Sequence, residues 1–248
     1  MLREAPHERA PGSLLEFGII NVDKPAGPSA HQVTAWVRDE VSAALEAAGE
    51  QSIDRAAHAG TLDPKVTGSL PVLLGDAARI ARVFDTSPKT YVAVLELHGP
   101  LPNDFAAILE DFEGEIYQRP PKHSAVARRL RTRFVHEIDV LEREDRRVLL
   151  RIRCEAGTYV RKLCHHVGLA LGTGAHMGDL RRIETGPFDD TDLVSLPDLA
   201  DAIAFWLEDG DDQPLRQAVD PAERALEGFP HVVIAPSAAR EVANGAPI

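Results

Sequence analysis

A chain of 248 residues, 44% of them hydrophobic, is long enough for one large domain, or for one domain and a fragment. It contains no apolar stretch as long as a membrane span, no apolar signal segment at the N-terminus, and only two cysteines, Cys154 and Cys164. These features exclude a disulfide framework and predict a cytoplasmic protein.

The net charge of −12 is unevenly distributed along the chain. Residues 119–182 carry 15 Lys/Arg and 7 Asp/Glu, whereas residues 1–118 and 183–248 have net charges of −9 and −11. A basic block within an acidic chain is typical of a local phosphate-binding surface. Only five of the 27 cationic residues are lysine, and this composition predicts a salt-loving source organism.

The chain begins with residues 1–13, which we expect to be a disordered lead-in. The apolar run Phe17–Val22 predicts the first strand. Ser29, with Gln32 three residues later, forms a capping-box pattern that begins a helix, and Gly49 ends that helix.

The middle of the chain predicts alternating strands and helices. Leu70–Leu74 reads as a short buried strand, Asp76–Phe84 as a helix, and Thr90–Leu97 as a strand. A further strand is predicted for Arg147–Ala156.

The predicted strand Arg147–Ala156 has two chemically different faces. Its apolar residues alternate with Arg151 and Arg153, so the two arginines point away from the apolar face. The following stretch, GTYVRKLCHHVGLALG, predicts a helix with Arg161 in its first turn and outside its apolar stripe.

The C-terminal part is rich in aspartate. Residues 189–212 contain a short amphipathic helix followed by a predicted linker. Residues 229–248 begin a new strand–helix–turn unit that is too short to close a core, so we expect the chain to be truncated there.

One carboxylate stands in an unusual setting within HAGTLDPKVTGSLPVLLG, residues 58–75. Asp63 precedes a proline, which restricts its backbone to extended conformations, and Gly60 and Gly68 bracket the loop. A stiff loop beside a buried strand is how a chain holds a catalytic acid. It is also how a chain holds an ordinary turn aspartate, and the stretch alone leaves both readings open.

Other residues also have two readings each. Tyr91 and Tyr159 suit core packing or stacking on a base. Arg161 is either a surface cation or the partner that keeps a carboxylate ionised in a site without water. The cations of the basic block either form a solvated face or, as we favour, contact RNA: Lys122, Arg128, Arg129, Arg151 and Arg153. The cysteine and histidine spacing fits no zinc motif, and GTGAHMG lacks the GK[ST] of a phosphate loop.

Six blocks between Leu15 and Phe188 occur in a characteristic order: GIINVDKPAGPSAHQVTAWV, HAGTLDPKVTGSLPVLLG, KTYVAVLELHG, YQRPPKHSAVARRLRTR, CEAGTYVRKLCHHVGLALGTGAHMGDLRR and TGPF. Together they resemble the TruB/dyskerin family of pseudouridine synthases, and most closely its archaeal members. The tail from Phe229 resembles the start of a PUA domain, the RNA-binding module of that family.

The resemblance implies a mixed α/β (α+β) fold with a central, largely antiparallel sheet. It implies a catalytic domain over residues 14–188, an acidic helix and linker over 189–228, and a PUA fragment over 229–248.

The resemblance also assigns roles to single residues. Asp63 matches the catalytic aspartate, Arg161 matches the arginine paired with it, and Tyr91 matches the tyrosine that stacks on the flipped uracil. His58 matches the histidine that helps to displace the target base.

Four further positions match supporting residues of the family. Tyr159 and Leu180 match residues that line the pocket. Lys24 and Pro25 match a structural motif that braces the active-site loop. One departure is Ala59, where relatives often have Ser or Thr, and it leaves Asp63 untouched.

The reaction implied by the resemblance breaks the C1′–N1 bond of a uridine, turns the uracil and rejoins it through C5, which needs no metal or redox cofactor. The implied partners are tRNA and rRNA, with an H/ACA guide RNA and small accessory proteins, and no membrane. Two other functions stay open: a non-catalytic RNA scaffold of the same fold, and an unrelated small-molecule enzyme that binds no RNA.

Overall fold

The computed structural model describes residues 3–121 and 127–246, and ten strands within them form one sheet. The strands are β1 (Gly18–Lys24), β2 (Ala56–His58), β3 (Thr67–Leu74), β4 (Lys89–Leu97), β5 (Gly114–Gln118), β6 (Arg131–Glu144), β7 (Arg147–Cys154), β8 (Ala175–Thr185), β9 (Phe188–Asp189) and β10 (Asp220–Pro221). Their order is β10-β1-β3-β8-β4-β7-β6-β5, with β2 beside β3 and β9 beside β8. Every pairing between these strands is antiparallel except that of β3 with β8. The predicted mixed α/β fold with a largely antiparallel sheet is confirmed.

Seven α-helices lie within the described residues: α1 (Pro11–Glu16), α2 (Ala30–Ala47), α3 (Phe105–Glu110), α4 (Val160–Ala170), α5 (Leu196–Ala204), α6 (Gln213–Ala218) and α7 (Pro236–Ala243). Short 3-10 helices cover Pro6–Glu8, Gly75–Asp85 and Ala222–Leu226, and a π-helical turn covers Phe205–Asp209. None of the helices in this part of the chain is long and apolar enough to cross a bilayer.

The predicted start and end of α2 are both confirmed. Ser29 Oγ accepts a hydrogen bond from the Gln32 amide at 3.2 Å, and Gln32 Oε1 accepts one from the Ser29 amide at 2.9 Å. These reciprocal bonds satisfy amides that the first helical turn would otherwise leave unpaired. Gly49 has φ +76°, a conformation that ends helices and that glycine adopts without strain.

The main core lies between one face of the sheet and helices α2 and α4. The apolar stripes of the two helices join the inward residues of β1, β3, β4 and β7 in one buried cluster. A second, smaller cluster covers the other face of β1 and β3, where Ile19 and Leu73 meet Phe84 and Phe188. The sheet is therefore covered on both faces at β1 and β3.

Strand register shows which residues share a face with the core. Tyr91 of β4 pairs with Ile152 of β7, and its neighbour Val92 pairs with Arg151. Directly paired residues point to the same face, and successive residues point to opposite faces. Arg151 and Arg153 therefore lie on the face opposite Tyr91, as the alternation in β7 predicted.

The predicted disorder of residues 1–13 is wrong for the described part of that segment. Arg9 is buried, its guanidinium donates to the Glu223 carboxylate at 2.5 Å, and it lies over the ring of Phe17. The ion pair and the ring contact hold the segment to the folded domain, and α1 follows directly. A polar composition alone did not reveal these tertiary contacts.

Two predicted elements further along differ in type. Asp76–Phe84, predicted as a helix, is a 3-10 helix over Gly75–Asp85. Residues 229–246 contain α7 but no strand, because the extended residues before α7 have no strand partner within the described chain.

The prediction of a linker after the acidic helix is wrong. The predicted amphipathic helix is α5, whose Leu199 and Ile203 are buried in the main core. In the segment after it, Leu215 of α6 is also buried in that core, and β10 pairs with the start of β1. The segment after α5 is therefore part of the folded domain, because its few apolar residues reach the core that its acidic composition did not indicate.

Candidate active site

Asp63 lies in the loop between β2 and β3, in a turn where the Val66 amide donates to the Asp63 carbonyl at 3.0 Å. The buried Lys24 holds this turn in place. Its Nζ donates to the carbonyls of Pro64 at 3.1 Å, Val66 at 2.8 Å and Pro25 at 2.8 Å. Burial lowers the pKa of Lys24, and three carbonyl oxygens take the place of solvent around its ammonium group.

Arg182 of β8 also holds this loop in place. It is fully buried, and it donates from Nε to the Ser69 carbonyl at 2.8 Å and from Nη2 to the Gly60 carbonyl at 3.2 Å. β3 and β8 meet closely here: a Cβ on Gly68 would lie 2.1 Å from the Arg182 carbonyl oxygen. The φ of +98° at Gly68 also favours glycine. The close contact between the two strands and this backbone conformation together require glycine at position 68.

The side chain of Asp63 forms an ion pair with Arg161, between Oδ2 and Nη2. Arg161 occupies the first turn of α4, off the buried stripe of that helix, as the sequence predicted. Among the described residues no local amide donates to the Asp63 carboxylate, which argues against a turn-capping role. A neighbouring guanidinium favours the ionised, nucleophilic form of a carboxylate.

The ion pair opens onto a cleft of about 630 Å³. Tyr159 and Leu180, the predicted pocket residues, line this cleft together with Asp63 and Arg161. Met177 and Lys65 also line it and were not predicted. The cleft is of the size that encloses a small organic ligand or a nucleotide.

Tyr91 and His58 are not among the described residues that line this cleft. Burial raises the pKa of the Tyr91 phenol, and the adjacent Arg182 guanidinium opposes that shift. Burial and the same arginine lower the pKa of His58, whose buried Nδ1 has no hydrogen-bond partner among the described residues. Arg182 is thus the charge that Tyr91, His58 and the Gly60 backbone share.

The predicted RNA-binding cations are not gathered at one place. Lys122 lies outside the described residues, and Arg128 and Arg129 lie exposed just after that gap. Arg151 donates from Nε and Nη2 to Asp139 at 2.9 and 2.7 Å, on the face of the sheet opposite Tyr91. Arg153 shares that face, so neither arginine approaches Asp63.

Side chains of the metal-ligating types do not converge within the described chain. No group of three or more His, Cys, Asp or Glu residues there has the arrangement of a metal site. Burial raises the pKa of the Cys154 and Cys164 thiols to about 12, which disfavours the thiolate that binds zinc.

Two residues that position the site escaped sequence reasoning. Arg182 reads as one more cation of the basic block, and only the parallel contact of β3 with β8 shows that it is buried. Gln118 precedes the RPPKHSAV block and has no charge, yet its buried side chain bonds to the backbone of Tyr159. The available signal was its place as the second residue of the family block YQRPPKHSAVARRLRTR.

Comparison with known proteins assigns this arrangement to a class of RNA-modifying enzymes. The model of the TruB family pseudouridylate synthase N-terminal domain matches residues 50–104 and 100–160. The tRNA pseudouridylate synthase B C-terminal domain matches residues 161–227, and the DKCLD domain matches residues 4–34.

Full-length relatives agree with these matches. A protein of Haloarcula marismortui named "Probable tRNA pseudouridine synthase B" is 61% identical over all of this chain and 75% of its own length. The protein of the same name from Thermococcus kodakarensis is 50% identical over 97% of this chain and 69% of its own.

Two solved structures have the same fold. A chain of a Cbf5–Nop10–Gar1 complex superposes with a TM-score of 0.88 at 48% identity, covering 97% of this chain and 71% of that one. A chain of an H/ACA RNP bound to a substrate RNA containing 2′-deoxyuridine gives 0.86 at 45% identity, over 98% and 71%.

The chain belongs to the TruB family of pseudouridylate synthases. It is an isomerase of that type, as the six sequence blocks indicated. The relatives from Haloarcula and Halobacterium agree with the salt-loving source predicted from its acidic, lysine-poor composition.

Proposed function

We propose that this chain converts uridine to pseudouridine at position 55 of tRNA, and in rRNA selected by an H/ACA guide RNA. The observation that carries the proposal is the Asp63–Arg161 pair at the mouth of a nucleotide-sized cleft. Relatives named tRNA pseudouridine synthase support the first substrate, and the H/ACA particle with bound substrate RNA supports the second.

Asp63 is the nucleophile in this proposal, and Arg161 holds its carboxylate toward the cleft. The Asp63 carboxylate forms a transient bond to the uridine, the C1′–N1 bond breaks, the uracil turns, a C5–C1′ bond forms, and the bond to the carboxylate breaks again. C5 loses its proton and N1 gains one, so nothing is oxidised or reduced and no cofactor takes part. Only a uridine out of its stack can reach Asp63, since the pair lies in a cleft rather than on a flat surface.

The remaining predicted residues support that nucleotide. Tyr159 and Leu180 line the pocket of the uracil. Tyr91 and His58 are not among the lining residues, and their proposed roles, stacking on the uracil and displacing it from the RNA stack, rest on the family resemblance. Lys24 and Pro25 brace the loop, a role supported by the three hydrogen bonds of the Lys24 ammonium group. The loop is thereby rigid before substrate arrives, which is the condition for efficient attack.

RNA reaches the cleft over the surface that carries Lys65, Arg128 and Arg129. These three residues are exposed and form no ion pair among the described residues, so their charges are available to phosphates. Arg151 and Arg153 were predicted to share this role, and on the opposite face they would meet only RNA that wraps around the sheet edge.

The proposed function also implies binding partners and a cellular compartment. Small accessory proteins of the Nop10 and Gar1 kind would bind the chain within an H/ACA particle, and the cytoplasm is the proposed compartment. Residues 229–246 are proposed to begin a PUA domain, a reading supported by the absence of any buried residue among them in the described chain.

The test uses the full chain, in a high-salt buffer suited to its acidic surface, with uridine tritiated at C5. We expect tritium release from a tRNA transcript without guide RNA, and from an rRNA fragment only with guide RNA and accessory proteins. RNA binding without release from either substrate would support the non-catalytic scaffold. Failure to bind RNA would support the small-molecule enzyme.

A further inference from the structure

The side chain of Gln118 is attached to both backbone polar atoms of one residue, Tyr159. Gln118 Oε1 accepts from the Tyr159 amide at 2.9 Å, and Gln118 Nε2 donates to the Tyr159 carbonyl at 3.2 Å. The side chain is 1% exposed, so water does not substitute for either bond. A buried amide that uses both its donor and its acceptor on one residue fixes that residue's orientation.

Tyr159 occupies the position where this orientation matters most. It is the N-terminal cap residue of α4, and its own side chain makes no capping bond. Its carbonyl accepts from the Leu163 amide at 3.0 Å, so the first turn of α4 is built on it. Arg161 projects from that turn onto Asp63.

The turn before Tyr159 is held by contacts that do not involve Gln118. The Glu155 amide donates to the Phe134 carbonyl at 2.8 Å, and Thr158 Oγ1 donates to the Glu155 carbonyl at 2.7 Å. Loss of Gln118 would therefore leave the turn in place and free the direction in which α4 starts.

We propose that Gln118 is a positioning residue that sets the direction of Arg161 and Tyr159 toward Asp63. It acts from the end of β5, through the first turn of α4, and touches no reacting atom. The inference rests on the proposed function, because its measured consequence is a rate of pseudouridine formation. A misplacement of about 1 Å at a reacting group can cost about 100-fold in rate.

The first variant is Gln118→Ala, assayed by single-turnover tritium release at saturating enzyme beside the wild-type chain. We expect the rate to fall roughly 10- to 100-fold, with RNA affinity little changed, because the effect acts on geometry within the bound complex. Wild-type chain that releases no tritium would defeat the proposed function. Active wild type with an equally active Gln118→Ala would defeat the positioning role instead.

The second variant, Gln118→Glu, gives a signature that general destabilisation does not. A protonated glutamic acid accepts from the Tyr159 amide and donates to its carbonyl, as glutamine does, whereas the carboxylate has no donor. The ratio of variant to wild-type rate should approach one at acidic pH and fall as the carboxyl group ionises. The ratio for Gln118→Ala should stay constant with pH. If the alanine variant does not fold, the glutamate variant still decides, since its protonated form is nearly isosteric with wild type.

The matched control is Asn21→Asp, which also puts a carboxyl group in place of a buried amide. Asn21 Nδ2 donates to the Asp189 carbonyl and to the Asp192 carboxylate, both at 2.7 Å, and among the described residues Asn21 has no hydrogen bond to α4. Its melting temperature should depend on pH while its rate ratio stays flat. A flat ratio for Gln118→Glu as well, with both variants folded, would overturn the positioning role.

Discussion

The substitution Asp63→Asn separates a nucleophile from a structural aspartate. It keeps the size of the side chain and removes its charge and its nucleophilic oxygen. If Asp63 attacks the uridine, the single-turnover rate should fall by roughly 10⁴-fold or more, as when a catalytic group is deleted. That factor corresponds to about 5 kcal/mol of lost transition-state stabilisation.

The stability change expected from the same substitution is small. The side chains of Asp63 and Arg161 are 53% and 51% exposed, so the substitution removes a solvent-screened ion pair. Such pairs contribute about 0–1 kcal/mol, which in a protein of this size shifts the melting temperature by no more than about 4 °C. RNA affinity should survive, because it is distributed over many phosphate contacts.

The assay is tritium release from C5-labelled tRNA under single-turnover conditions, with a thermal melt on the same preparation. Wild-type turnover by Asp63→Asn would end the nucleophile assignment. A large fall in melting temperature with full activity in the folded fraction would match a turn aspartate instead.

Three further predictions concern the partner of Asp63, the RNA-binding cations and the buried Lys89. Arg161→Ala should lower the single-turnover rate by about 100-fold or more. Arg161→Lys should restore part of it by returning the charge without the planar guanidinium, and equal rates for both variants would contradict this. Lys65→Ala should reduce the slope of log Kd against log salt concentration by about 0.7–0.9. Arg153→Ala, on the opposite face of the sheet, should change this slope less. Equal changes would mean that RNA also covers that face. Lys89→Met should raise the melting temperature at pH 7 and raise it less at pH 10. Burial lowers the folded-state pKa of Lys89 from 10.5 to about 7. Between these two pH values the unfolded chain therefore binds more protons than the folded chain. The lysine thus lowers the free energy of unfolding by on the order of 4 kcal/mol at pH 7, and this loss fades as the pH rises. A gain that is independent of pH would show that Lys89 is not titrating in the folded state.

The sequence by itself determined the family, the main elements and the identity of the paired residues. The capping box at Ser29, the apolar stripe of α2 and the alternation in β7 are local patterns, so their physics is visible without a fold. Asp63 and Arg161 were found because each lies in a distinctive block, GTLDP and GTYVR. Their ion pair was an expectation that the structure then placed at a cleft.

Only the tertiary structure decided how distant segments meet. The burial of Arg182 depends on the parallel contact of β3 with β8, and the two bonds of Gln118 depend on β5 ending beside α4. The amphipathic helix that became α5 was predicted, but the burial of Leu215 of α6 in the same core was not. In each case a contact between residues far apart in the chain decides whether the residue is buried. The composition or periodicity of one segment carries no information about such a contact.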